Sequence, residues 1–235
     1  FELPNQIRMS INGKIDRVDL CKDGDKVYVK VLDYKTGSKA FDVVALYHGL
    51  QLQLMVYMDA AVKMTQKHYP DSEVIPAGVF YYRLNDPLVE KKVVGEEEEI
   101  WQKVLKELKV DGVMNLKDET LEHLDHCQAG ESAVIPVKYN KNGSLSKNSK
   151  VASEQEFEVM MRHALGKVLK VHRKILSGEV AAFPYRRKQE SGCDYCAYRH
   201  ICGFDQKIPG YKYRDIFEMT QSEVIAAMEA DAVKE

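Results

Sequence analysis

The chain has 235 residues, 34 basic against 36 acidic, with 45% hydrophobic and 30% charged residues and a formal charge of −2. That composition excludes a disordered tail, a collagen-like repeat and a coiled coil, and no stretch approaches the roughly 18 apolar residues of a membrane span. It also removes the simplest case for nucleic acid, a strongly basic chain, although a local basic patch on a near-neutral protein would still serve. The length favours one core with insertions, a single domain over 1–235. The chain opens on Phe1 without a signal peptide, so it is expected to be truncated at its N-terminus. Its expected parts are a core over about 1–90, an insertion over about 91–150, and a basic helix with a cysteine segment over about 151–235.

Residues 6 to 11 alternate, Asn12-Gly13 signals a hairpin turn, and residues 14 to 21 return as a second strand. After Asp23-Gly24-Asp25, residues 26 to 34 form a third strand rich in Val and Tyr, which completes an antiparallel meander. The period then changes. Leu46, Leu50, Leu54, Met58 and Ala61 recur at three and four, which predicts one helix over 42–68, ended by Pro70. Residues 77 to 84 predict a strand closed by Asn85-Asp86-Pro87. A helix over 96–109 opens on four glutamates, where the helix dipole favours negative charge. A strand over 132–139 and a polar, basic loop over 140–150 follow. Ser153 with Glu156 predicts a capping box at the head of a helix running to about Leu176. That helix carries Arg162, His163, Lys167, Lys170, His172, Arg173 and Lys174. Such a face is usually just solvated; the alternative is contact with a nucleic-acid backbone. A last helix spans about 220–233, and there is no internal repeat.

Strand parity singles out three polar residues. Asp16 shares a face with Val18 and Leu20; Asp33 and Lys35 share one with Val27, Val29 and Val31. A carboxylate on an apolar face must be protonated, paired or bound to a cation. The ordinary alternative is a half-buried Asp33–Lys35 ion pair, with Asp16 as a cap or turn residue. The competing reading is a metal site: two carboxylates from adjacent strands suit Mg²⁺ or Mn²⁺, and a lysine beside them can orient a water or stabilise charge on a phosphate. Asp19 has the opposite parity and shares its face with Arg17, so a local ion pair is expected there rather than metal ligation.

Five cysteines are unevenly placed, with Cys21 and Cys127 alone and Cys193, Cys196 and Cys202 clustered. An odd count with one tight cluster reads better as a metal site in a reducing compartment than as a disulfide framework. For zinc, His200 would be the fourth ligand, at a cramped spacing from Cys202. For an iron–sulfur cluster, a fourth cysteine must come from elsewhere. Either way the three cysteines are expected to converge on one small volume. Cys21 is committed to the sheet and Cys127 is distant in sequence, so the fourth ligand is expected outside this chain.

The series GKID at 13–16, LDYKTG at 32–37 and QLMVY at 53–57 resembles the RecB-like branch of the PD-(D/E)xK nuclease superfamily. The resemblance implies an α/β, restriction-endonuclease-like core, a mixed sheet flanked by helices, with a C-terminal cysteine-cluster segment. It implies that Asp16 and Asp33 bind Mg²⁺ or Mn²⁺, that the Tyr34 carbonyl is a further ligand, and that Lys35 is catalytic. It also implies that Gln53 and Tyr57, four apart on one helix face, touch DNA. Many members add a histidine or acidic ligand from a helix before the first strand, and no such helix is evident here. The stretches PAGVFYYRLNDPL at 76–88, the block from IPVKYNKNGSLSKNSKVASEQEFE to LSGE, and PYRRKQESGCDYCAYRHICGFD at 184–205 are similar to the C-terminal nuclease domain of the AddB family of helicase-nuclease subunits. In that family a structural 4Fe-4S cluster is held by three such cysteines and one far upstream.

By this resemblance the function is metal-dependent hydrolysis of single DNA strands during double-strand-break processing and recombinational repair. The implied partners are DNA and an AddA-like helicase-nuclease subunit, with no membrane, in the bacterial cytoplasm at the nucleoid. Lys141, Lys147 and Lys150 are candidate backbone contacts. Alternatives are a free-standing RecB-like exonuclease of CRISPR-associated or phage type, and a catalytically silent DNA-binding or scaffold module. Cys193 lies 136 positions after Tyr57, more than compact stand-alone enzymes usually have, and a silent module has no need of Lys35.

Overall fold

A computed structural model describes residues 9–37, 39–85, 87, 97–117 and 119–233. β1 (Arg17–Asp23) and β2 (Lys26–Lys35) form an antiparallel hairpin about Gly24, whose φ of 57° suits the tight turn. The chain then makes α1 (Val43–Tyr47) and α2 (Gln53–His68) before β3 (Glu73–Arg83) returns parallel to β2. α3 (Glu97–Leu108) and β4 (Asp111–Asn115) follow, then α4 (Thr120–Leu124) and β5 (Val151–Ala152). The sheet order is β1-β2-β3-β4-β5, with β3–β4 antiparallel and β4–β5 parallel. The long helix α5 (Glu154–Leu176) leads to β6 (Tyr185–Arg187), β7 (Glu190–Ser191), α6 (Arg199–Cys202) and β8 (Arg214–Asp215). These three short strands make a second sheet, ordered β7-β6-β8, and α7 (Gln221–Ala232) ends the fold.

Both faces of the larger sheet are covered. Val29, Val31, Val79 and Val113 pack with Leu54 and Met58 of α2, Phe157 and Met160 of α5, and Met228 of α7. The opposite face, Leu32, Phe80 and Met114, packs against Ile135 and Val137. This is the mixed sheet flanked by helices that the sequence predicts. No helix among the described residues is long and apolar enough to cross a membrane.

Four predicted elements are corrected. Residues 9 to 16 form no strand, so the meander is a two-stranded hairpin; residues 6 to 8 lie outside the described residues. Asn12-Gly13 leads into β1 rather than turning between strands. The single helix over 42–68 is two helices: α1 ends in a Schellman motif, with Gly49 at φ 81° donating to the Leu46 carbonyl and Leu50 donating to that of Ala45. Residues 132 to 139 make only isolated bridges, Glu131 with Lys138 and Tyr139 with Leu145. The strand in this region is the unforeseen β4. The capping box at Ser153 and Glu156 forms, and a second one opens α7 at Thr220 and Glu223.

Candidate active site

The site lies where β2 ends. β1 and β2 pair so that Val18 faces Val31 and Leu20 faces Val29. The same register, one step further, puts Asp16 opposite Asp33 on one face of the sheet. The parallel pairing of β2 with β3 sets Asp33 beside Tyr81, and β4 brings Asp111 beside Tyr81. A row of polar side chains therefore crosses four segments of chain at one level.

Asp33 is 2% exposed. Its Oδ2 forms an ion pair with the Lys35 ammonium but accepts no hydrogen bond. The ammonium is this oxygen's one side-chain partner among the described residues, and a carboxylate oxygen keeps lone pairs that a further ligand can use. Lys35 Nζ also donates to Gln53 Oε1 at 3.2 Å, and Gln53 Nε2 donates to the Tyr57 hydroxyl at 3.1 Å. The Gln53–Tyr57 pair on α2 thus holds the lysine. Tyr57 also lies against Gly13: a Cβ there would stand 3.3 Å from its Cε1 and 3.4 Å from its hydroxyl oxygen, a close contact with the ring that a small shift would relieve.

Asp16 itself is exposed, contrary to the expectation from its apolar face, because β1 is an edge strand whose Val18 and Leu20 are themselves exposed. Its Oδ2 accepts from the Tyr34 backbone N–H at 2.9 Å. The N–H and C=O of a strand residue point the same way, so the Tyr34 carbonyl is directed toward the Asp16 side. Asp19 pairs with Arg17 at 2.7 Å and Lys30 at 2.9 Å on the other face. Burial alone would raise its carboxyl, but hydrogen bonds from Arg17 and Lys30 outweigh that and hold it below the usual range. A cleft of about 1110 Å³ between β1 and α2 has Gly13, Lys14 and Tyr57 in its wall; it flanks the carboxylates, and neither Asp33 nor Lys35 lines it.

Three neighbours escaped sequence reasoning. The Tyr81 hydroxyl is buried without a hydrogen bond, and burial, then Asp33 and Asp111, push it up to about 12. Asp111 takes the Phe41 N–H at 2.6 Å and pairs with Lys150. The Lys39 ammonium stands 5.4 Å from the centre of the Tyr81 ring, and Lys35 Nζ 5.6 Å from it. Burial, then the charge of Lys35, lower Lys39 below the ordinary lysine value, against a pull upward from Asp33. The register that brings β3 and β4 to β2 carries Tyr81 and Asp111, the connection after β2 carries Lys39, and no local pattern announces either.

The cysteines are not gathered as expected. Cys193 is partly exposed and Cys196 and Cys202 are exposed, all three as free thiols. Among the described residues no group of three or more His, Cys, Asp or Glu side chains is arranged to hold a metal ion. The segment is anchored instead by Arg186, over the Tyr213 ring at 4.9 Å and paired with Asp215 at 2.7 Å. On α5, His163 bonds the Tyr47 carbonyl at 2.9 Å and Lys167 lies 3.8 Å from Asp231, so part of the basic face serves packing within the chain. Lys150 is likewise paired, while Lys141 and Lys147 are exposed.

Comparison with known proteins agrees with this geometry. The chain is 39% identical over 225 residues to the ATP-dependent helicase/deoxyribonuclease B-subunit of Lachnoclostridium phytofermentans, covering 92% of this chain and 19% of that protein. It is 35% identical over 229 residues to the protein of the same name from Clostridium kluyveri, covering 95% and 20%. For the one from Thermoanaerobacter sp. the identity is 31% over 233 residues, covering 99% and 20%. The chain spans about a fifth of the length of these curated relatives. A family model matches residues 1–203, which hold the hairpin, the Asp33–Lys35 pair and the Gln53–Tyr57 helix. Sequence and sheet register thus converge on one assignment: the chain belongs to the PD-(D/E)XK nuclease superfamily.

Proposed function

We propose that this chain is the nuclease portion of an AddB-type helicase/deoxyribonuclease, and that it hydrolyses phosphodiester bonds of single-stranded DNA with Mg²⁺ or Mn²⁺. The observation that carries the reading is the buried Asp33 carboxylate, whose Oδ2 accepts no hydrogen bond, level with Asp16 and beside Lys35. Two carboxylates and the Tyr34 carbonyl are hard oxygen donors of the kind such cations take, so the residues present fit the group. When bound, the cation lowers the pKa of a water and offsets charge on the phosphate.

The protein's own groups do the rest. Asp33 and Gln53 hold the Lys35 ammonium at the site, where it stabilises the attacking water or the phosphate oxygens. Tyr57 fixes Gln53, so the pair positions Lys35 and lies at the edge where a strand would pass. The relatives are named as B-subunits of an ATP-dependent helicase/deoxyribonuclease, which supports DNA cleavage within a multisubunit assembly; an AddA-like partner, double-strand ends as the substrate and the bacterial cytoplasm are our extension of that reading. A 4Fe-4S cluster on Cys193, Cys196 and Cys202 would be structural and take no part in hydrolysis. Three thiols on one segment match its chemistry, but the described residues do not complete such a site.

The test is cleavage of an end-labelled single strand by the full-length chain in Mg²⁺. Asp33→Ala and Lys35→Ala are each expected to lower the rate at least roughly 100-fold with the circular dichroism spectrum unchanged. Cleavage by folded Lys35→Ala at the wild-type rate would refute the assignment.

A further inference from the structure

We propose that Lys39 is a ligand for a phosphate of the DNA strand, its ammonium held over the Tyr81 ring beside Lys35 and Asp33 to receive a phosphodiester oxygen. The proposal deepens the nuclease reading and rests on it.

The lysine is placed by a rigid support. Tyr81 is 2% exposed and lies in register between Asp33 and Asp111. The backbone on the C-terminal side of Lys39 is tied to β4 and to the turn before α2: Phe41 N–H donates to Asp111 Oδ1 at 2.6 Å, and Gln51 Nε2 donates to the Ala40 carbonyl at 3.1 Å. The connection between β2 and α1 therefore presents Lys39 at the site instead of trailing it in solvent, while the residue remains exposed and reachable.

The charges along the row balance only while no cation is bound: Asp16, Asp33 and Asp111 face Lys35, Lys39 and Lys150, and Asp16 takes the Tyr34 N–H rather than an ammonium. Asp111 is matched by Lys150, and Asp33 by Lys35. Lys39 has no carboxylate partner among the described residues; its polar neighbour is the Tyr81 ring, which it shares with a second ammonium. Two ammonium groups around one carboxylate repel each other, and a free lysine on a flexible stem would swing away into water. A phosphodiester brings one negative charge with several acceptor oxygens and relieves that repulsion. A divalent cation on Asp16 and Asp33 would tip this neutral row to a net positive charge, and that excess is what an anion would offset. A carboxylate substrate would meet the same charge, but the neighbouring hydrolytic groups suit a phosphate.

Single-turnover cleavage of a fluorescein-labelled single strand by the full-length chain, over a range of salt, tests this. Lys39→Met keeps a long stem over Tyr81 and removes the charge; Lys39→Arg keeps the charge. Lys39→Met is expected to slow cleavage at least roughly tenfold at unchanged melting temperature. It should also flatten the slope of log apparent affinity against log salt by about 0.7, the value for one lost phosphate contact on a single strand. Lys39→Arg should keep most of the rate and the wild-type slope. Wild-type rate and slope in Lys39→Met, with Lys35→Ala inactive, would overturn the proposal and leave the nuclease reading standing. Equal impairment of the Met and Arg variants would assign Lys39 to packing and overturn it too. Undiminished cleavage by Lys35→Ala would remove the nuclease reading and this proposal together.

Discussion

Asp33 and Asp19 are carboxylates on the same hairpin with opposite settings. Asp19 meets two cations through good hydrogen bonds on an accessible face; Asp33 is buried with one ion pair and an oxygen that accepts no hydrogen bond. A protein that needed only an ion pair gains little by burying it, because desolvation consumes most of the Coulomb attraction. The difference predicts opposite responses. Mn²⁺ should raise the melting temperature of the wild-type chain in a saturable way, since a ligand that binds only the folded state stabilises it. Asp33→Asn should weaken that response at least roughly tenfold in Mn²⁺ concentration; an unchanged Mn²⁺ titration would remove Asp33 as a ligand. Asp19→Asn should cleave DNA within about twofold of wild type and lose only about 0.2–1 kcal/mol in a urea titration, as for exposed pairs. Its carboxyl is depressed when folded, so its pairing stabilises above the ordinary carboxylate range and is lost as pH falls through the lowered value. Loss of activity in a folded Asp19→Asn as complete as in Asp16→Asn would contradict the assignment. Parity along β1 and β2 was enough to set Asp16 and Asp33 on one face and Asp19 on the other. It could not reveal Lys39 or Tyr81, whose places depend on a loop and on the pairing of β3.

At the scale of elements, legibility followed the local signal. The β1–β2 hairpin, α5 with its capping box and α7 each carry their own start and stop. The break between α1 and α2 also had one, His48-Gly49 with Leu50 behind it, but the apolar repeat at 46, 50 and 54 runs straight through the break. β4 has five residues, four of them buried, so the alternation that marks a half-exposed strand is missing. Residues 132 to 139 show the converse: Ile135 and Val137 are both buried, yet Pro136 stands between them and this stretch pairs only through bridges. Gly112 fixes how β4 meets β3. A Cβ there would lie 1.9 Å from the Val79 carbonyl oxygen and 2.8 Å from the Phe80 Cα, both backbone atoms that cannot step aside. Gly112→Ala is therefore expected to cost about 1–3 kcal/mol in a denaturant titration, the range for forced overpacking. It should also reduce nuclease activity, because β4 carries Asp111, which anchors Phe41 and Lys150. Gly24→Ala in the exposed hairpin turn, with open space around its Cβ, is the control for backbone strain alone. If the two variants were equally stable, the close approach of β3 and β4 would not be limiting.

Across the whole molecule, the layer of the candidate site and the C-terminal segment are joined by Arg187. Its guanidinium pairs with Asp42, whose other oxygen caps α1 through the N–H groups of Val44 and Ala45, at 2.8 and 3.0 Å. It also grips Glu218 with two nitrogens, at 2.9 and 3.2 Å, between β8 and α7. One side chain thus links the β6 hairpin, the first helix after β2, and the lead-in to the last helix. Arg187→Ala is expected to lower global stability by about 1.5–3 kcal/mol, the worth of a charge-assisted hydrogen bond to a partly buried partner such as Asp42. Amide exchange should quicken in 185–191 and 214–216 while β2 and β3 stay protected, because those two strands are held by their own pairing in the middle of the larger sheet. Acid should act on the same joint. Arg187, then Lys188, hold the Glu218 carboxyl down to about 2. A carboxyl depressed on folding binds fewer protons than in the unfolded chain, so its contribution is fully present above an unfolded value of about 4.3 and disappears as pH falls toward about 2. In Arg187→Ala, Lys188 alone remains to hold Glu218, and the loss of stability between pH 4 and 2 should be shallower than in wild type. Identical acid slopes in the two proteins, read from urea midpoints at each pH, would show that Glu218 is held by something other than Arg187.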